Sequence, residues 1–114
     1  MKSLLIFFLF LIGNNSFSQV YGEIFMEKRP IIKDIDYTIT YSRVGVIVFD
    51  IAVNTNGDVT SCEINKEKTT VHSTPMMVKA KNRIIQELKF ESGNQYPTFH
   101  RGFVQIKLHP TTEN

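Results

Sequence analysis

Few residues in this chain are of the types that do covalent or metal chemistry, and their placement argues against it. Cys62 with His72 or His100 has the elements of a thiol nucleophile and its base, in which an imidazole draws the proton from sulfur. Cys62, however, lies among Val59 and Ile64 in an apolar stretch, where a free cysteine packs as a small hydrophobe and its thiol stays inert. His72, His100 and His109 stand far apart and form no i, i+4 pair to hold a metal on a helix face. They read as loop and strand-surface residues. Asp50 and Asp58 flank a turn, the usual setting of an aspartate that bonds to nearby backbone. A single cysteine closes no intrachain disulfide and completes no zinc site. The sequence carries no glycine-rich phosphate loop, GxSxG or internal repeat. The expectation is a protein that is not an enzyme and uses no cofactor, metal or small-molecule substrate.

The elements that would position these residues are clearer. The 114 residues are 42% apolar and 21% charged, with a formal charge of +2, the composition of one small globular domain and too balanced for a polybasic binder of nucleic acid. Lys2 precedes an apolar run from Leu4 to Ile12, and Ser16 and Ser18 are small residues at −3 and −1 of a cleavage point. That is the pattern of an export signal cut after Ser18, since the run is too short to span a bilayer and polar Asn14 and Asn15 end it. An uncleaved anchor is the alternative. Residues 19–43 read as an N-terminal extension, broken by Pro30, with a strand over 35–42 where Ile35, Tyr37, Ile39 and Tyr41 alternate with polar residues.

Residues 44–109 read as the domain proper, followed by a tail over 110–114. Val44 to Val53 is apolar on both faces, which predicts a central or covered strand. Asn56-Gly57 predicts a tight hairpin turn, and the returning strand, about Asp58 to Asn65, changes parity between Val59 and Cys62 in a way that predicts a bulge. Thr74 as cap and Pro75 as first residue open a helix running to about Leu88, with Met77, Ala80, Ile84 and Leu88 on the core stripe. Phe99 to Leu108 alternates again as a last strand, in which Gly102 permits a bulge or a close backbone approach, a bulge being the commoner reason. The predicted fold class is α+β: an antiparallel sheet of three to four strands with one helix packed on one face.

Residues 44 to 108 resemble the C-terminal domain of TonB, the energy transducer of the Gram-negative envelope. Gly45-Val46-Ile47-Val48-Phe49-Asp50-Ile51-Ala52-Val53-Asn54-Thr55-Asn56-Gly57-Asp58-Val59 is similar to the family's first hairpin without a gap. Met77 and Ala80 through Leu88-Lys89-Phe90 are similar to its helix and the aromatic-ending segment after it, and Val104-Ile106-Leu108 to its last strand. The resemblance is to a free-standing domain, without the membrane anchor and Pro-rich spacer of full-length members. It implies binding of an extended peptide, the TonB box of an outer-membrane receptor, by strand addition along an edge formed by the last strand. The outward residues Phe99, Arg101, Phe103, Gln105 and Lys107 would line that edge. It implies an exported protein of the periplasm or envelope linked to TonB-dependent transport, with a protein or peptide partner and a homodimer through a sheet edge as a further expectation. A secreted interaction protein that uses the same fold for an unrelated partner is the other reading.

Overall fold

A strand that is apolar on both sides must be covered on both sides, and Gly45–Val53 takes the inner position that satisfies this. The computed structural model describes residues 19–110. The expected export signal, 1–18, and the end of the tail, 111–114, lie outside the described residues. In chain order the elements are β1 (Val20–Tyr21), α1 (Glu23–Met26), β2 (Ile31–Lys33), β3 (Thr38–Thr40), β4 (Gly45–Val53), β5 (Val59–Ile64), α2 (Thr74–Glu87), β6 (Lys89–Phe90) and β7 (His100–His109). The fold is α+β, with α2 as its main helix.

The principal sheet has five strands rather than three or four. Its order is β1-β7-β4-β5, and β3 joins β7 beside β1. β4 and β7 pair antiparallel from Gly45↔Leu108 to Val53↔His100 without a break. β3 pairs parallel to β7, and β2 with β6 makes a separate two-stranded ribbon. The strand expected over 35–42 contracts to three residues because aspartates upstream draw backbone donors away. Asp34 accepts from the Ile35 N–H at 2.8 Å, and Asp36 accepts from the Thr38 N–H at 3.0 Å and its hydroxyl at 2.7 Å. Such local bonds compete with a strand ladder.

The β4–β5 connection is a hairpin, but not the two-residue turn that Asn-Gly suggests. The Gly57 N–H donates to Asn54 O at 3.1 Å and the Asn54 N–H to Asp58 O at 3.0 Å. Gly57 has φ 89, whereas Lys28 is the only described non-glycine residue with positive φ. This is a longer loop with a single left-handed glycine after an ordinary turn. The expected bulge is present: Ala52 faces Ser61 and Val53 faces Val59, leaving Thr60 as the extra residue.

The core lies between the sheet and α2. Ile47, Phe49, Ile51, Val53, Ala80, Ile84, Leu88, Val104 and Ile106 are all buried in it, with Met77 half-buried at its margin. The helix cap is Ser73, one residue earlier than expected, its hydroxyl accepting from the Met76 N–H at 3.5 Å. Residues 19–43 are no appendage, since Val20, Ile24 and Ile39 are buried in the same core.

Candidate functional site

The five residues expected to line the peptide-accepting edge occupy the outer side of the sheet. Arg101 and Lys107 are exposed, Phe103 and Gln105 half-buried, and Phe99, just before β7, is 62% exposed. The edge itself is absent. β7 is an inner strand whose outward flank is taken up by the N-terminal residues. The Arg101 N–H donates to Glu23 Oε1 at 3.4 Å, the Gln105 N–H to Gln19 O at 3.0 Å and the Lys107 N–H to Tyr37 O at 2.8 Å, while His109 O accepts from the Tyr41 N–H at 2.8 Å. Val20↔Val104 and Tyr21↔Phe103 fill the interval. β1, two residues long, is too short to leave a periodic signal, and the alternation around β3 does not say which strand it joins, which hid this cover from sequence reading.

Gly102 serves the close approach rather than a bulge. A Cβ there would lie 2.7 Å from Tyr21 O and 3.0 Å from Ile24 Cδ1, and one on Gly22 would lie 2.9 Å from the Gly102 Cα. Two facing glycines thus let the N-terminal chain lie against β7.

The outward residues divide into three groups. Phe103 packs against Tyr21 with ring centroids 5.6 Å apart and carries the Lys68 ammonium 4.3 Å from its ring centroid. Arg101 lies between two adjoining open depressions of about 390 and 340 Å³, which share Asp50 and Ile51; Phe103 and Glu23 line one, Phe99 and Glu63 the other. Lys107 belongs elsewhere, to a depression formed with Gln19 and residues 34–38.

The candidate catalytic groups are dispersed. Cys62 is 4% exposed, and burial pushes its thiol up to about 12. His72 is exposed, and the Nδ1 of His109 lies 2.9 Å from Pro110 O. Among the described residues, no three His, Cys, Asp or Glu side chains gather to hold a metal ion.

His100, expected at the strand surface, is instead fully buried and belongs to a polar cluster that sequence reading missed. Lys28, at φ 58, reverses the chain after α1 and brings Arg29 inward. The Arg29 guanidinium donates to Glu91 O from Nε at 2.9 Å and from Nη2 at 2.7 Å, to Asn54 O at 2.9 Å, and to His100 Nδ1 at 3.2 Å. Arginine only donates, so Nδ1 accepts and the imidazole proton sits on Nε2. That nitrogen lies 3.0 Å from Glu27 Oε1 but is not aligned with it as a hydrogen bond. Tyr96 stacks over the guanidinium at 4.0 Å and beside His100 at 5.9 Å, and its hydroxyl donates to Glu91 at 2.5 Å. The cluster ties four chain segments together, with Arg29 and His100 buried and the Glu27 carboxylate at its exposed margin. Its sequence signal was parity: His100 shares the inward face of Gly102, Val104 and Ile106.

The long free flank of the sheet belongs to β5. The Asn65 N–H donates to Val48 O at 2.7 Å, and Asp50↔Glu63 and Ala52↔Ser61 are register partners, so the backbone groups of Cys62 and Ile64 point away from β4. Among the described residues, β6 meets this flank only where Lys89 bridges Asp58, just before β5, and no strand pairs with Cys62 or Ile64 on that side. Beside it, Phe49, Ile64, Thr74, Met77, Val78 and Lys81 line a concavity of about 170 Å³ between strand and helix.

No protein-family model, curated protein or solved structure matches the chain.

Proposed function

We propose that this chain is an exported binding module of the cell envelope, of the TonB C-terminal kind, that takes up an extended peptide by strand addition. The observation that carries the reading is the unpaired outer flank of β5 beside a helix. Such a flank offers unused N–H and C=O groups at a spacing that only another extended chain matches. Resemblance over residues 44 to 108 supplies the envelope setting and a receptor segment as partner. The occupied flank of β7 moves the docking edge from the last strand to β5, and leaves Phe99, Arg101, Phe103, Gln105 and Lys107 as surface residues of the outer face.

The test is recovery of partners from envelope extract on the immobilised protein, followed by amide-shift mapping with a peptide from whatever receptor is captured. Outer-membrane receptors whose peptides shift β5 amides would support the reading. Recovery of soluble or surface proteins alone would favour the secreted interaction protein instead.

A further inference from the structure

Strand addition specifies backbone pairing but not which peptide is chosen; that selection rests on the side chains beside the edge. The following rests on the strand-addition reading and concerns its selectivity.

We propose that the cleft between β5 and α2 selects an extended segment carrying an apolar residue and, two positions away, an acidic one. The apolar residue enters the concavity lined by Ile64, Met77 and Val78. The acidic residue meets Lys81.

The cleft has room for one side chain. Its volume of about 170 Å³ falls below the roughly 300 Å³ at which small-molecule sites begin. Its lining is apolar apart from Thr74 at the helix start and Lys81 at the rim. Val78 is 52% exposed, far more than a helix residue that only supports its own core. Lys81 is exposed, and among the described residues no carboxylate lies within ion-pair distance of it. Ile64 lines the cleft with Met77 and Val78, while Asp58, at the other end of the strand, bridges Lys89 just past the helix, so strand and helix run in opposite directions along the cleft.

The spacings agree. Side chains on one face of an added strand recur every second residue, about 6.8 Å apart. Three to four residues of helix, from Met77 and Val78 to Lys81, rise about 5 Å. An apolar residue set against Ile64 therefore brings the residue two positions on to Lys81, where a carboxylate is complementary and an ammonium is repelled. Seating begins at the half-buried Ile64, because Cys62 is almost covered.

A random octapeptide display library panned on the protein tests this, with K81E and V78E as parallel baits. Both residues are exposed, and unchanged thermal melting of the variants confirms that they fold. The expected result is enrichment of peptides with an apolar residue two positions from Asp or Glu, whose amide shifts centre on Ile64, Met77 and Val78. Affinity should fall about tenfold on K81E, where attraction becomes repulsion, with lysine or arginine replacing the acidic residue in peptides selected on that bait. V78E should lose the apolar preference. Peptides that shift β5 amides but show no acidic preference, or bind K81E equally well, overturn the selectivity and leave strand addition standing. Enrichment of nothing above background, or shifts confined to other surfaces, overturns both.

Discussion

Arg29 is where single-residue chemistry weighs most on this molecule. Its guanidinium closes three backbone or side-chain acceptors from distant segments, and desolvation lowers its pKa while Tyr96 and Glu91 offset part of that effect. Arg29→Met should cost on the order of 3 kcal/mol in urea unfolding, since buried acceptors are left unpaired. Arg29→Lys should recover little, because an ammonium has no planar fork to span Glu91, Asn54 and His100 together. Cys62 gives a second test. With its thiol held near 12, it should resist a disulfide reagent at pH 8 in the native protein and react fully in denaturant. The unfolded thiol ionises near 8.5, so it loses its proton before the native thiol does. Stability should therefore be intact below about pH 8.5 and fall as pH rises toward 12. Arg29 was not legible because an arginine beside a proline carries no pattern; His100 read as a surface residue, although its parity with Val104 and Ile106 is that of the inward face.

At the scale of elements, turns and close approaches decide more than propensity does. Gly57→Val should destabilise by about 3 kcal/mol or more in thermal melts. Its φ of 89 is hostile to a β-branched residue, and a Cβ there would fall 2.0 Å from Phe90 O, in the segment bonded back to the hairpin. Gly102→Val should instead loosen β1 and α1 from β7. Hydrogen exchange would show it as faster exchange of the Gln105 amide, which donates to Gln19 O, with amides of the β4–β5 ladder unchanged. Phe49→Ala should cost about 3–5 kcal/mol in the same melts, because its ring is fully buried beneath α2. The long elements were readable: β4, β5, α2 and β7 each repeat their pattern over several residues. The Asn-Gly signal located a turn correctly but implied the wrong turn type, since dipeptide preference does not count the residues a loop contains.

For the whole molecule, residues 19–43 decide whether the sheet is complete. Burying Val20, Ile24 and Ile39 contributes on the order of 6 kcal/mol, comparable with the entire stability of a small domain. A fragment of residues 44–114 should therefore show no cooperative melting and should bind a hydrophobic dye, while residues 19–114 melt in one transition. The sequence by itself determined the α+β class, the hairpin, the core helix and the inward face of the last strand, because each depends on periodic patterns within a single element. Only the tertiary structure decided which strand lies at the edge. β1 and β3 are held in place by contacts between distant segments, at Gly22 with Gly102 and at Arg83, which donates to the carbonyls of Asp36 and Thr38 at 2.7 and 2.9 Å across 47 and 45 positions. Strand order is a property of pairs of segments, and no window along one segment contains it.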